Sequence, residues 1–159
     1  MVARARGNAG DKLRVGINWS GNPGYAHDRI RSTGLETFKT LLEIPQVHWF
    51  SLHKGHREAE ADSFNLSQPL KGAADFYDTA TVISALDLVV STESVIPNLS
   101  AALGIPTCLV TSPDPDWRWN SWYRNVTVCP QRSLGRWDEP LARVQEIVQA
   151  RLAATAQDR

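Results

Sequence analysis

Four clusters in the 159-residue sequence carry side chains suited to binding or catalysis. The first is Glu93-Ser-Val-Ile-Pro-Asn98, which sets a carboxylate, a hydroxyl and an amide at the start of an apolar, helix-like run. A helix N-terminus has free N–H groups and a favourable dipole for an anion. Phosphate oxygens could take those N–H groups while Glu93 accepts sugar hydroxyls and Asn98 adds an amide. The same residues also suit a plain helix start, with Ser94 as cap and Glu93 complementing the dipole.

The second cluster is Ser20-Gly-Asn-Pro-Gly24 with His27, Asp28, Arg29 and Arg31. Ser20 and Asn22 offer polar atoms, and the two arginines suit bidentate phosphate binding. Gly21 and Gly24 do not complete G-x-G-x-x-G, and no P-loop is present. A solvated surface loop is the competing reading. The third is His53-Lys-Gly-His56 followed by Glu58. Lys54 could reach a phosphate and Glu58 a ribose. The histidine pair has no evident third or fourth ligand in the neighbouring sequence, so no metal site is expected. The fourth is Asp114-Pro-Asp-Trp-Arg-Trp119 with Trp122 and Tyr123. Trp119 and its neighbours read either as a flap over a sugar or base, or as a packed loop. No G-x-S-x-G is present, so nothing supports a serine nucleophile of that kind. No catalytic residue is assigned.

Composition bounds the possibilities. Seventeen basic and seventeen acidic residues cancel. A neutral chain has no electrostatic footprint for nucleic acid or an anionic membrane, so an anionic ligand needs a local site. Cys108 and Cys129 each sit in an apolar, strand-like run and are expected as buried free thiols, which fits a reducing cytoplasm. No run approaches the ~18 apolar residues of a membrane span. Residues 1–12 read as a flexible lead-in without the apolar core of a secretory signal. Residues 13–155 read as a single domain.

The elements that must position the four clusters follow from periodicity. Leu13 to Trp19 alternates as a strand and runs into the Ser20 loop. Ser32 or Thr33 is expected to cap a helix over residues 34–43, and residues 47–52 form a second strand. A short charged helix to about Asp62 and a weak third strand or irregular edge over residues 64–70 come next. Asp75 or Asp78 starts a helix that Asp87 breaks. Leu88 to Thr92 is the most apolar strand, consistent with burial on both faces of a parallel sheet. A helix with Pro97 in its first turn runs to Gly104, then a strand covers residues 105–111. After the long loop over residues 112–125, Val126 to Cys129 is a strand. The helix over residues 139–154 carries Leu141, Val144, Ile147, Val148 and Leu152 on one face.

This alternation predicts a Rossmann-like doubly wound parallel sheet, three-layer α/β/α, with right-handed crossovers. Ligands bind such sheets beyond the carboxyl ends of strands where the strand order reverses. With order 3-2-1-4-5, the reversal falls between the Leu13 and Leu88 strands. Their trailing loops are the Ser20–Arg31 and Glu93–Asn98 clusters.

Val15-Gly-Ile-Asn-Trp-Ser-Gly-Asn-Pro23, Asp28-Arg29, Arg31-Ser32 and Ser51-Leu-His-Lys-Gly55 together resemble the C-terminal domain of glycosyltransferase family 9-like proteins. These are heptosyltransferase-like, bacterial, and often fused behind tetratricopeptide repeats. Residues 87–104 are similar to that family's D-T-x-x-x-H-L-A-x-A-L-G-x-P stretch; Asp75-Phe-Tyr-Asp-Thr-Ala and Asp116-Trp-Arg-Trp119 fit as well. The resemblance spans about residues 13–132. It implies one half of a GT-B fold, the half that binds a nucleoside-diphosphate sugar as donor substrate, with no further cofactor. Carried over by position, Glu93 stands for an aspartate, Ser94 for a threonine and Asn98 for a histidine. Asn98 can donate a hydrogen bond but carries no positive charge.

The resemblance therefore implies donor binding by Ser20, Asn22, Arg29, Arg31, Lys54, Glu58, Glu93, Ser94, Asn98 and Trp119. The function expected is transfer of a glycosyl group from a nucleoside-diphosphate sugar, in the cytoplasm. The family's catalytic base lies in the N-terminal half, which is expected on a separate chain, together with any repeats, or missing. The alternative is a non-catalytic interaction or nucleotide-binding module, a remnant of such an enzyme.

Overall fold

The computed structural model describes residues 12–157, so most of the expected lead-in (1–11) lies outside the described residues. Five strands form one parallel sheet: β1 (Leu13–Asn18), β2 (Val47–Ser51), β3 (Leu88–Thr92), β4 (Thr107–Thr111) and β5 (Val126–Pro130). Their order is β2-β1-β3-β4-β5. The chain moves outward from β1 to β2 and then returns to the other side of β1, so the order reverses between β1 and β3 as expected. Asn18 and Ser91 are paired in register there, at the carboxyl ends of the two strands.

Seven α-helices are described: α1 (Asp28–Arg31), α2 (Lys39–Leu42), α3 (Glu60–Ser63), α4 (Phe76–Ile83), α5 (Val95–Ala102), α6 (Arg118–Ser121) and α7 (Asp138–Gln157). Strand alternation sends side chains to opposite sheet faces, and each face builds its own core. Leu13, Val15, Ile17 and Trp19 join Leu88 and Val90 on one face, where Val144 and Val148 of α7 cover them. Val89 on the other face packs with Val82 and Ile83 of α4 and Ile96 of α5. Gly16 sits on that second face because a side chain there would collide: a Cβ would stand 2.6 Å from both Leu52 Cδ1 and Leu86 Cδ1.

The structure departs from the sequence expectation at three places. The weak third strand is a single bridge, Phe50 to Ser67, and Pro69 has no N–H to extend it. The helix expected over residues 34–43 splits into a 3-10 turn (Leu35–Phe38) and α2. Neither Ser32 nor Thr33 caps it, since each hydroxyl is engaged elsewhere. Ser32 Oγ donates to Asp28 Oδ1 at 2.7 Å and accepts from the Gly21 N–H at 2.8 Å. Thr33 Oγ1 bonds Thr37 Oγ1 at 2.7 Å. Finally, the two loops expected over residues 20–31 and 112–125 each contain a short helix, α1 and α6.

Asp75 caps α4, its Oδ1 accepting from the N–H groups of Tyr77 and Asp78. Gly104 follows α5 at φ 77°, the left-handed conformation that ends a helix. Cys108 and Cys129 are buried and free. Burial pushes the Cys108 thiol up to about 12 and that of Cys129 up to about 11, which keeps both protonated and unreactive.

A candidate anion-binding cleft at the strand-order reversal

Asn18 is the last residue of β1, and its buried amide joins three segments. Its Nδ2 donates toward the Ser20 carbonyl (3.2 Å), Ser91 Oγ (3.2 Å) and Ser94 Oγ (3.0 Å). Its Oδ1 faces His53 Nδ1 at 3.0 Å. The loops after β1, β2 and β3 are thus tied to one side chain at the reversal. His53 is only 4% exposed, and its Nε2 is buried with no hydrogen-bond partner. The Trp19 ring packs against it at 4.7 Å, and His56 meets it edge-on at 6.0 Å. Burial pulls the His53 pKa down and His56 adds to this, while Glu60, Glu58 and the Ser20 carbonyl pull the other way. The net shift is downward, so the imidazole is neutral near pH 7.

These segments border a cleft of about 840 Å³. Its apolar wall includes Leu52, Leu70, Phe76 and Ile96. Its ionisable lining is Arg31, His53, Lys54 and His56, with no carboxylate. In a chain of zero formal charge, this is a local concentration of one sign. The Ser20 hydroxyl is, like His53 Nε2, buried without a hydrogen-bond partner, and both residues line the same cleft. Two such polar groups at one concave site are the kind of convergence that a ligand satisfies.

Of the residues expected to bind a donor, Ser20, Asn22, Arg31, Lys54, Ser94 and Asn98 line this cleft. Lys54 Nζ rests on the Ala73 carbonyl. Arg31 lies 3.5 Å from Asp28 Oδ1 and 4.2 Å over the Tyr25 ring, which fixes the guanidinium at the rim. Arg29 faces a neighbouring, smaller recess with Tyr25 and Arg57, which shares Ser20, Pro23 and His56 with the cleft. Glu58 lines none of these hollows. It sits in the turn before α3, while Glu60 one turn on accepts the Leu35 N–H at 2.7 Å.

The N-terminus of α5 has fewer free donors than the sequence expectation assumed. Ser94 is the N-cap, and its Oγ accepts from the Ile96 N–H at 3.2 Å. Pro97, two residues into the helix after Val95, brings no N–H at all. Asn98 folds back on its own helix, Nδ2 donating to the Ser94 carbonyl at 2.9 Å. Attraction for an anion therefore comes mainly from Arg31 and Lys54.

A second hollow, of about 380 Å³, shares Arg31, Ser94 and Asn98 with the first. Glu93, Asp114, Asp116 and Arg118 give it a mixed lining. Trp119 is buried at 6% exposure, and its indole N–H donates to Glu93 Oε1 at 3.0 Å. Trp119 is thus packed against the carboxylate at the edge of this hollow. Trp117 and Trp122 are the exposed members, 65% and 58%. Asp116 clamps Arg118, and that fork pulls its carboxyl down to about 2.

Asn18 and His53 are the principal site residues that the sequence reading passed over. Asn18 looked like one more position in an alternating strand, although its polarity at a strand end was the available signal. His53 was weighed only as a metal ligand paired with His56. Among the described residues, no group of three His, Cys, Asp or Glu side chains is placed to hold a metal ion.

No protein-family model matches the sequence, and no curated protein matches it. Two solved structures match the fold. One is E. coli ADP-heptose lipopolysaccharide heptosyltransferase II, at TM-score 0.66 and 14% identity, covering 99% of this chain and 50% of that one. The other is E. coli heptosyltransferase WaaC with ADP-2-deoxy-2-fluoro heptose, at TM-score 0.59 and 16% identity, covering 89% of this chain and 44% of that one. The chain thus spans about half the length of the structures it matches, and it has the Rossmann-like architecture of one half of such a GT-B protein.

Proposed function

Starting from the fold of half a heptosyltransferase, we propose that this chain is the nucleotide-sugar-binding domain of a glycosyltransferase. The carrying observation is that every ionisable side chain lining the cleft at the strand-order reversal is basic. A diphosphate seated there would meet Arg31 and Lys54, with Ser20 and Ser94 donating hydroxyl hydrogens. The base and ribose would occupy the apolar wall around Phe76 and Ile96. The glycosyl group would extend past Asn98 toward the second hollow, where Glu93 accepts sugar hydroxyls. Glycosyl transfer leaves negative charge on the departing diphosphate, and the two cations would stabilise it as it forms. The reacting base and the acceptor site would come from the other half of a GT-B enzyme, in a further region or a separate chain.

A non-catalytic interaction module is the second reading. Exposed Trp117 and Trp122, 5.8 Å apart, favour it, because a free aromatic pair offers contact area to a partner. Calorimetric titration with UDP-, GDP- and ADP-sugars separates the two. Saturable binding of one donor, weakened by Arg31→Ala, supports donor binding. No heat with any of them at millimolar concentration leaves only the interaction module.

A further inference from the structure

We propose that His53 takes up a proton when a diphosphate enters the cleft, so that donor binding and imidazole protonation are one coupled event. This rests on the nucleotide-sugar reading of the same cleft. The geometry around the ring leaves one nitrogen bonded and the other free to gain a proton. Asn18 Oδ1 accepts at Nδ1, 3.0 Å away. The orientation of that amide is fixed by its Nδ2, which faces three oxygens. Nδ1 therefore carries hydrogen in both protonation states, and Nε2 is the nitrogen that gains the proton. Nε2 is buried and has no partner, and His53 lines the cleft.

Every charged group near the ring can be placed. His56 and Lys54 flank it on its own loop, and Arg31 reaches the cleft from α1. Glu58 and Glu60 approach from the turn and helix that follow, and with the Ser20 carbonyl they favour the cation. The residues that α4 and α5 contribute to the lining, among them Thr79 and Ser94, are uncharged. In the free protein, burial, with His56 adding to it, outweighs the groups that favour the cation, and the ring is neutral. A diphosphate reverses the balance, because it puts two negative charges into the same partly desolvated space. The proton comes from solvent and stays on Nε2 for as long as the anion is bound.

The sign follows from linkage. Binding raises the His53 pKa, so affinity is greatest at low pH and is lost as pH rises through the bound-state value. A rise of one unit corresponds to a total fall of at most roughly tenfold in affinity, spread from below the free-state value to above the bound-state value. ADP-glucose, UDP-glucose and GDP-mannose are suitable probes, because their diphosphates are diesters that do not titrate in this range. Calorimetry on the full chain at pH 7, in two buffers of different ionisation enthalpy, counts the protons. We expect a net fractional proton uptake with whichever donor binds, retained in His56→Gln. In His53→Gln we expect no uptake and an affinity that does not change with pH. Ring 15N shifts of His53 in the unmodified protein, read with and without donor, should move to the imidazolium position on binding, a readout that does not depend on any variant folding.

Donor binding without buffer-dependent heat overturns this inference and leaves the nucleotide-sugar reading standing. So does uptake that persists in His53→Gln, or a His53 ring that stays neutral when bound. Failure of all three donors to bind defeats both readings together.

Discussion

At the scale of single residues, the basic character of the cleft depends on very few side chains. Arg31→Ala removes the cation held between Asp28 and the Tyr25 ring. We expect at least ~10-fold weaker donor binding, equivalent to ~1.4 kcal/mol, in a calorimetric titration. Unchanged affinity would move the phosphates elsewhere. Trp119→Phe keeps an aromatic ring but deletes the N–H on Glu93 Oε1 and part of the buried indole volume, and at least about 1 kcal/mol of stability should disappear from a urea melt. What could be read in the sequence at this scale was uneven. Arg31, Lys54 and Ser94 carry conspicuous chemistry next to turn residues, and the structure brings them to one cleft. Arg29 has the same chemistry two positions away, but on a four-residue helix that spacing turns it to a different recess. His53 and Asn18 were hidden for the opposite reason: their importance comes from one contact across 35 residues, which local pattern does not encode.

At the scale of elements, strand alternation and helix periodicity were enough to give the parallel sheet, and the order assumed for a doubly wound sheet puts the reversal between the Leu13 and Leu88 strands, where the structure has it. Alternation and periodicity failed where tertiary contacts compete for the same groups. Ser32 has the right chemistry to cap a helix but bonds Asp28 and Gly21 across the turn. Residues 64–70 are extended enough to bridge β2 once, yet Pro69 stops the ladder. Packing of β1 against its neighbours is tight at Gly16, where Ala would push into two leucine methyl groups. Gly16→Ala should cost ~1–3 kcal/mol in denaturant titration, with little effect on donor affinity in the folded fraction. The starts of β1 and β3 are joined by Arg14, which grips Asp87 through Nε at 3.0 Å and Nη2 at 2.5 Å. Burial alone would raise the Asp87 carboxyl, and the Arg14 fork more than offsets it, so the folded pKa is depressed. That stabilisation is present above the unfolded pKa and is lost as pH falls through the folded value. Asp87→Asn should therefore lower Tm at neutral pH, with the gap from the parent protein closing below about pH 4. A gap independent of pH would mean that the ion pair is not what joins the strands.

At the scale of the whole molecule, the chain matches about half of each heptosyltransferase structure it resembles. Its basic cleft lies where a doubly wound sheet presents a ligand, while the mixed hollow beside it shares Arg31, Ser94 and Asn98. Binding and turnover are separable in such an arrangement. The cleft carries basic side chains that suit a diphosphate, and in the proposed function the acceptor site and base would come from the other half of a GT-B enzyme. No described helix is long and apolar enough to cross a membrane. The most direct test is calorimetric titration of the chain with ADP-, UDP- and GDP-sugars, repeated on Arg31→Ala. The account predicts saturable binding of at least one donor below ~1 mM, weakened about tenfold or more in the variant. Absence of binding to all three, or binding that Arg31→Ala leaves untouched, would contradict it.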